Sequence, residues 1–323
     1  MKLTRRGFGL LAGAGLAGLA GTTISPVPSR AAEPLKELKV GYQKAGLLAL
    51  ARREKSIEKQ LAASGTSVKW VEFASGPPLL EALNVGAVDI GWTGDAPPIF
   101  AQAAGANLVY IAAAPSNGKG EAIIVKDGSP VQSVADLKGK KIAVTKGSSA
   151  HNLAVAALEK AGVAWADITP VYLSPADAAA AFANDSVDAW SIWDPFLALA
   201  ESRQKVRQLT TTADTIAVNT YLLANRTFAT DHPEAVVEIV KALGGTAEWA
   251  NAHRGEVAQA LSEITGVPIG PQTVAVDRAA YAILPLTDAI IAGQQTTADR
   301  FQKLGLIPKP IVVREIVWTS PKA

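Results

Sequence analysis

The sequence predicts an α/β protein of two lobes closing on a cleft, each lobe a mixed, mainly parallel sheet flanked by helices. Three observations point there. Short apolar runs alternate with Ala/Leu-rich helical stretches from Leu38 to about Ala224, the rhythm of βαβ units. The rhythm then restarts: Asn84-Val85-Gly86-Ala87-Val88-Asp89-Ile90-Gly91-Trp92 is echoed by Asn184-Asp185-Ser186-Val187-Asp188-Ala189-Trp190 about one hundred residues on. Two extended stretches, at 121–125 and 220–224, lie where a chain would cross between the two copies and return.

Taken in order, residues 39–42 read as a strand and 47–61 as a helix. Residues 67–73 alternate with a period of two. A helix over 78–84 leads to a strand over 87–92, and a helix over 98–104 to a strand over 108–113. Residues 114–120 are rich in Pro, Asn and Gly, which break regular structure. The second series has strands at 141–144 and 187–192, with helices at 149–161 and 175–183. After the second crossing the chain turns helical, over 233–252, 256–264 and 287–304. The division expected is residues 32–118 with 228–323 for the first lobe and 119–227 for the second.

The whole chain of 323 residues carries 31 Lys+Arg against 29 Asp+Glu, a formal charge of +2. Residues 1–31 hold Lys2, Arg5, Arg6 and Arg30 and no acid, so the remaining 292 residues carry 27 basic against 29 acidic groups. That first segment opens Thr4-Arg5-Arg6-Gly7-Phe8, continues in Leu, Ala and Gly to about Ala20, and ends Ser29-Arg30-Ala31. A basic start, a short apolar run and small residues at the exit make an export signal, expected to be cleaved after Ala31. The paired arginines point to the twin-arginine route and hence to a periplasmic product. No later stretch reaches about 18 apolar residues, the length needed to span a bilayer.

A nearly balanced charge argues against nucleic acid as a partner. The absence of cysteine excludes disulfides, thiolate nucleophiles and Cys-held metals. His151, His232 and His253 have no ligand spacing, so no metal and no cofactor is expected. There is no G-x-S-x-G elbow, Walker loop or H-E-x-x-H, and the expectation is a binding protein rather than an enzyme.

Polar turns sit where predicted strands meet helices: Gly41-Tyr42-Gln43-Lys44, Gly91-Trp92-Thr93-Gly94-Asp95, and Thr145-Lys146-Gly147-Ser148-Ser149. Ligands of open α/β sheets gather at such strand ends. Helix N-termini there expose unpaired N–H donors that suit small anions. Each turn also has a purely structural reading. Ser148, Ser149 and Asp95 can serve as helix caps, Gly94 and Gly147 can supply unusual backbone angles, and Trp190 suits a core. Trp193, beside Asp194-Pro195 at a strand end, is the better cleft residue. As a free carboxylate Asp95 would repel an anion, so it is expected to orient its loop or face an amino group. Ser174-Pro175-Ala176-Asp177 reads as a structural cap.

At these residues the sequence resembles the aliphatic-sulfonate-binding proteins of bacterial ABC importers. The likeness rests on Gly41-Tyr42-Gln43-Lys44, on Trp70-Val71-Glu72-Phe73 with Gly76-Pro77, and on the long run EALNVGAVDIGWTGDAPPIFAQAAGA from Glu81 to Ala106. It continues through Lys146-Gly147-Ser148-Ser149-Ala150-His151, Leu173-Ser174-Pro175-Ala176-Asp177, Trp190-Ser191-Ile192-Trp193-Asp194-Pro195 and Gln294-Gln295-Thr296-Thr297. The resemblance implies the clamshell of type II periplasmic binding proteins. It further implies a sulfonate held between the lobes, a monomer, and delivery to a membrane permease with its ATPase. The residues it marks are Gln43, Gly94, Asp95, Gly147, Ser148, Ser149, Trp193 and Asp194. Taurine, nitrate or a thiamine-precursor pyrimidine remain alternative ligands, and an enzyme on the same clamshell is the alternative of another class.

Overall fold

The computed structural model describes residues 34–320, so the expected export segment at 1–31 and its cleavage site lie outside the described residues. Ten strands follow in chain order: β1 (Glu37–Tyr42), β2 (Ser67–Glu72), β3 (Ile90–Thr93), β4 (Leu108–Pro115) and β5 (Glu121–Lys126), then β6 (Lys141–Val144), β7 (Thr169–Tyr172), β8 (Ala189–Trp193), β9 (Val206–Thr211) and β10 (Asn219–Asn225). Side chains along a strand alternate between faces, and the apolar ones sort accordingly. Ala122 and Ile124 of β5 enter one core while Ile123 and Val125 enter another. In β10, Tyr221 and Leu223 face one core and Leu222 and Ala224 the opposite one. Burial on both faces requires helices above and below, which is why the chain intersperses strands with helices.

The strands form two five-stranded mixed sheets, ordered β2-β1-β3-β10-β4 and β7-β6-β8-β5-β9. In the first, β1 is parallel to β2 and β3, and β10 runs antiparallel between β3 and β4. In the second, β6 is parallel to β7 and β8, and β5 runs antiparallel between β8 and β9. The second sheet is thus built wholly from the chain between the two crossings, and the first takes back β10 after the second crossing. The sequence echo has a matching structural role. Asp89 Oδ2 accepts the Lys39 amide at 2.7 Å, and Asp188 Oδ2 accepts the Lys141 amide at 2.8 Å. Both aspartates also donate their own amides back, to the Lys39 and Lys141 carbonyls. Each repeated Val-Asp pair therefore pins the start of a parallel neighbour.

The two crossings, 116–120 and 212–218, touch: the Ser116 amide donates to the Val218 carbonyl at 3.2 Å, and the Ala213 amide to the Gly118 carbonyl at 3.1 Å. One expected boundary moves. The sequence pattern places residues up to 227 in the second lobe, but β10 pairs in the first sheet, because its alternating apolar residues fill both cores of that sheet.

Several helices match their expected spans, Pro175–Ala183 and Pro233–Ala252 among them, and Ser174 caps the former as read. The helix expected at 47–61 is broken into Gly46–Glu54 and Ser56–Leu61 by Lys55, which sits at φ 52°. Strands β7 and β9 and helices Phe196–Arg203 and Ile269–Arg278 were not anticipated. Both strands are partly exposed sheet edges: β7 is only four residues long and contains Pro170, and β9 is mainly polar, so neither has the apolar run that marks an interior strand. Among the described residues no helix is long and apolar enough to cross a membrane.

Candidate ligand-binding site

The carboxyl ends of β1, β3 and β8 and the N-termini of helices Gly46–Glu54, Ala96–Ala103 and Ser149–Lys160 converge on one cleft of about 270 Å³. Seven of the eight expected site residues line it: Gln43, Gly94, Asp95, Ser148, Ser149, Trp193 and Asp194. Four separate segments, from both sheets, are brought together.

Gly147 is the exception. It adopts φ 72° and turns inward, its amide donating to His151 Nδ1 at 3.1 Å and its Cα facing the Phe100 ring. It shapes the loop from behind, because a left-handed turn is needed to aim Ser148 and Ser149 forward. His151 is fully buried among Phe100, Trp165, Tyr172 and Phe301. Burial, then the Lys146 charge, depresses its pKa to about 4, so it is neutral and accepts the Gly147 proton.

Gly94 sits opposite Ser149 so closely that a Cβ on it would stand 2.7 Å from Ser149 Cβ. The first turn of the following helix offers fewer donors than a bare N-terminus. Pro97 and Pro98 have no N–H, and the Ala96 amide already donates to Asp95 Oδ1 at 2.8 Å. The expectation of free donors beside Gly94 is corrected to that extent. Asp95 orients its loop, as expected: its other oxygen accepts from Asn152 Nδ2, and Gln294 donates to its carbonyl at 2.7 Å. Burial, its largest cause, pushes the Asp95 pKa up to about 6.

On the facing helix, Ser148 is spent as a cap. Its hydroxyl donates to the Thr145 carbonyl at 2.7 Å and accepts the His151 amide at 3.3 Å. The Ser149 amide, at the first helical position, has no acceptor within the helix. Gln43 donates from Nε2 to the Trp92 carbonyl at 3.0 Å, leaving its second amide hydrogen for the cleft. Trp193 packs edge-on against Phe196 and stands at the wall, while Trp190 lies in the core against Phe182.

Three further lining residues bear on the site's chemistry and carry little or no signal in the sequence. Glu121 accepts from Ser149 Oγ at 2.6 Å and from Thr212 Oγ1 at 2.9 Å; its signal was a lone acid opening an otherwise apolar strand. Arg278 ties the cleft wall together, its guanidinium 3.6 Å from Asp194 and 2.8 Å from Glu201. Tyr281 follows it. Neither had a sequence signal, since an arginine at a helix end and a lone tyrosine are ordinary surface features. Asp194 also accepts the Ala198 amide at 3.0 Å, and burial, against the pull of Arg278, raises its pKa to about 6.

Two sheets of like order, joined by two crossings and lined toward a common cleft, define a two-lobed solute-binding protein of the periplasmic binding fold. Residues 61–256 match the family described as NMT1/THI5 like. A relative from Escherichia coli (strain K12), named as an aliphatic sulfonates-binding protein, is 41% identical over 305 residues, 94% of each chain. The crystal structure of the periplasmic aliphatic sulphonate binding protein SsuA from Escherichia coli superposes with a TM-score of 0.81 at 39% identity, covering 89% of this chain and 94% of that one. The alkanesulfonate-binding protein SsuA from Xanthomonas axonopodis pv. citri, solved bound to MOPS, gives 0.84 at 40% identity, covering 89% and 99%. The chain belongs to the NMT1/THI5-like family and, within it, to the aliphatic-sulfonate-binding proteins. The desulfurization enzyme DszB shares the fold alone, with a TM-score of 0.63 at 17% identity.

Proposed function

We propose that this protein is the periplasmic solute-binding component of an ABC importer, exported through the twin-arginine signal at its start. In this reading it works as a monomer, captures aliphatic sulfonates in the cleft, and hands them to a membrane permease with its ATPase for sulfur supply. One observation carries the reading. Gln43, Gly94, Ser149 and Trp193, from four distant segments, surround a single cleft in a chain 40% identical to a protein solved with the sulfonate MOPS.

A sulfonate is ionised at every physiological pH and presents three acceptor oxygens and no donor. The Ser149 amide and the free hydrogen of Gln43 supply neutral donors, each hydrogen bond to a charged group contributing about 1.5–3 kcal/mol. Trp92, Trp193, Tyr281 and Ala282 offer an apolar wall for the organic tail. A ligand that touches both sheets stabilises the closed arrangement by its differential affinity for it. Binding rather than catalysis fits the cleft chemistry, since His151, whose imidazole could act as a base, is fully buried behind Gly147 and does not line the cleft.

The carboxylates of Asp95, Glu121 and Asp194 in the lining favour one second reading, a zwitterionic aminosulfonate whose ammonium group faces them. Calorimetry with ethanesulfonate, taurine and nitrate, in buffers free of sulfonate, tests both. Ethanesulfonate should bind, and be recovered unchanged. Heat from taurine alone would shift the assignment to aminosulfonates, and silence from every sulfonate would refute it.

A further inference from the structure

Ser149 carries a hydroxyl in the cleft lining, close against Gly94 of the facing loop, yet its one proton is directed into Glu121. Its Oγ lies 2.6 Å from Glu121 Oε1, and Thr212 Oγ1 lies 2.9 Å from Glu121 Oε2. An ionised carboxylate only accepts, so both hydroxyls must donate into it. Ser149 then turns lone pairs toward the cleft, and Glu121, itself a lining residue, adds a full negative charge. An anion entering that arrangement meets two repulsive features.

Resting on the reading of the cleft as a sulfonate site, we infer that Glu121 is a positioning residue that takes up one proton as the anion enters and thereby makes Ser149 a donor to it. The neutral carboxyl can give its own hydrogen to Ser149 Oγ or to Thr212 Oγ1. The Ser149 hydrogen is then free to turn toward a sulfonate oxygen, and the charge facing the anion is gone. The proton comes from solvent, and no bond of the ligand changes.

The charged neighbours are few. Asp95 faces Glu121 from the end of β3, and Asp194 follows Trp193, the residue opposite Glu121 in the β5–β8 pairing. Arg278 approaches Gly120 but is engaged by Asp194 and Glu201. His151, on the helix of Ser149, is neutral, and Lys119 is exposed. Burial, and then the charge of Asp95, raise the Glu121 pKa to about 7, so the proton is exchangeable near neutrality. Asp95 and Asp194, both lifted by burial to about 6, are the competing titrants.

The test is calorimetry with ethanesulfonate at fixed ionic strength, from pH 6 to 8.5, in phosphate and in Tris. Only the fraction protonated at Glu121 is competent, so the Kd should weaken by about thirtyfold by pH 8.5. The heat at pH 8 should differ between the two buffers by the amount that uptake of about one proton requires. Glu121→Gln, whose amide can donate to Ser149 at any pH, should bind with a flat pH profile, take up no proton, and recover the tight binding at pH 8.5. Ser149→Ala should bind at pH 6 about as weakly as the native protein does at pH 8.5. A flat native profile with no proton uptake overturns the inference while leaving the sulfonate assignment intact. A slope that survives Glu121→Gln and vanishes in Asp95→Asn or Asp194→Asn also overturns it. Taurine binding more tightly as pH rises would make Glu121 a countercharge for ammonium and overturn it as well. Silence toward every sulfonate at all pH values refutes the assignment beneath it.

Discussion

Gly94→Ala isolates cleft closure from folding. Gly94 does not need a left-handed backbone, so alanine fits its conformation and the whole effect is steric. The new Cβ would lie 2.7 Å from Ser149 Cβ and 3.0 Å from its Oγ, where carbon atoms prefer about 3.5–4.0 Å. Ser149 cannot swing aside freely, because its hydroxyl is held by Glu121 at 2.6 Å. The two sheets must therefore part by about 1 Å at this point. Overpacking of this kind costs about 1–3 kcal/mol. Since the contact joins β3's loop to the facing helix, the cost falls on the ligand-closed state. The Kd for ethanesulfonate should weaken about 5- to 150-fold by calorimetry, with the melting temperature within a few degrees of native. Combining the change with Ser149→Gly, which removes the opposing Cβ, should abolish most of the additional loss. A Kd for Gly94→Ala within twofold of native, or an equal loss in the Ser149→Gly background, would refute the steric argument.

Two further outcomes concern stability. Asp89→Ala strips the half-buried Lys39 amide of its acceptor and should cost about 1–3 kcal/mol in urea unfolding; Asp188→Ala, whose side chain is exposed, should cost less, and a reversed order would contradict the role given to the repeated Val-Asp pair. Glu121→Gln should stabilise the protein increasingly as pH rises from 4.5 to 7. Native Glu121, with its pKa raised by burial, keeps a proton that the unfolded chain releases in that window, so native stability falls with rising pH there. The difference between variant and native should grow by on the order of 3 kcal/mol across it, and a constant difference would remove Glu121 from the buried, titrating role.

The two-lobe architecture was legible because it is written in periodicity and repetition. Interior strands such as β6 and β10 contain unbroken apolar runs, Ile142–Val144 and Tyr221–Ala224, and the Asn84–Trp92 stretch and its echo mark equivalent positions in both sheets. Edge strands β7 and β9 were illegible for the converse reason, since half-exposed residues such as Arg207, Gln208 and Thr210 have no reason to be apolar. Site residues at strand-to-helix turns could be named because such turns have a recognisable composition. What each one does there could not. Ser148 and Ser149 are adjacent and alike in sequence, yet one hydroxyl is consumed by Thr145 and the other by Glu121, 28 residues away.

By itself the sequence determined the class of fold, the duplication, the family and the segments that meet at the cleft, because apolar alternation, turn chemistry and motif runs are local properties of the chain. The tertiary structure decided which donors remain free, that Gly147 stands behind the site, that β10 returns to the first sheet, and that Glu121 and Arg278 belong to the cleft. Those are consequences of long-range packing. A hydroxyl's direction and a carboxylate's charge depend on what the rest of the chain places within about 3 Å of them, and no local pattern encodes that.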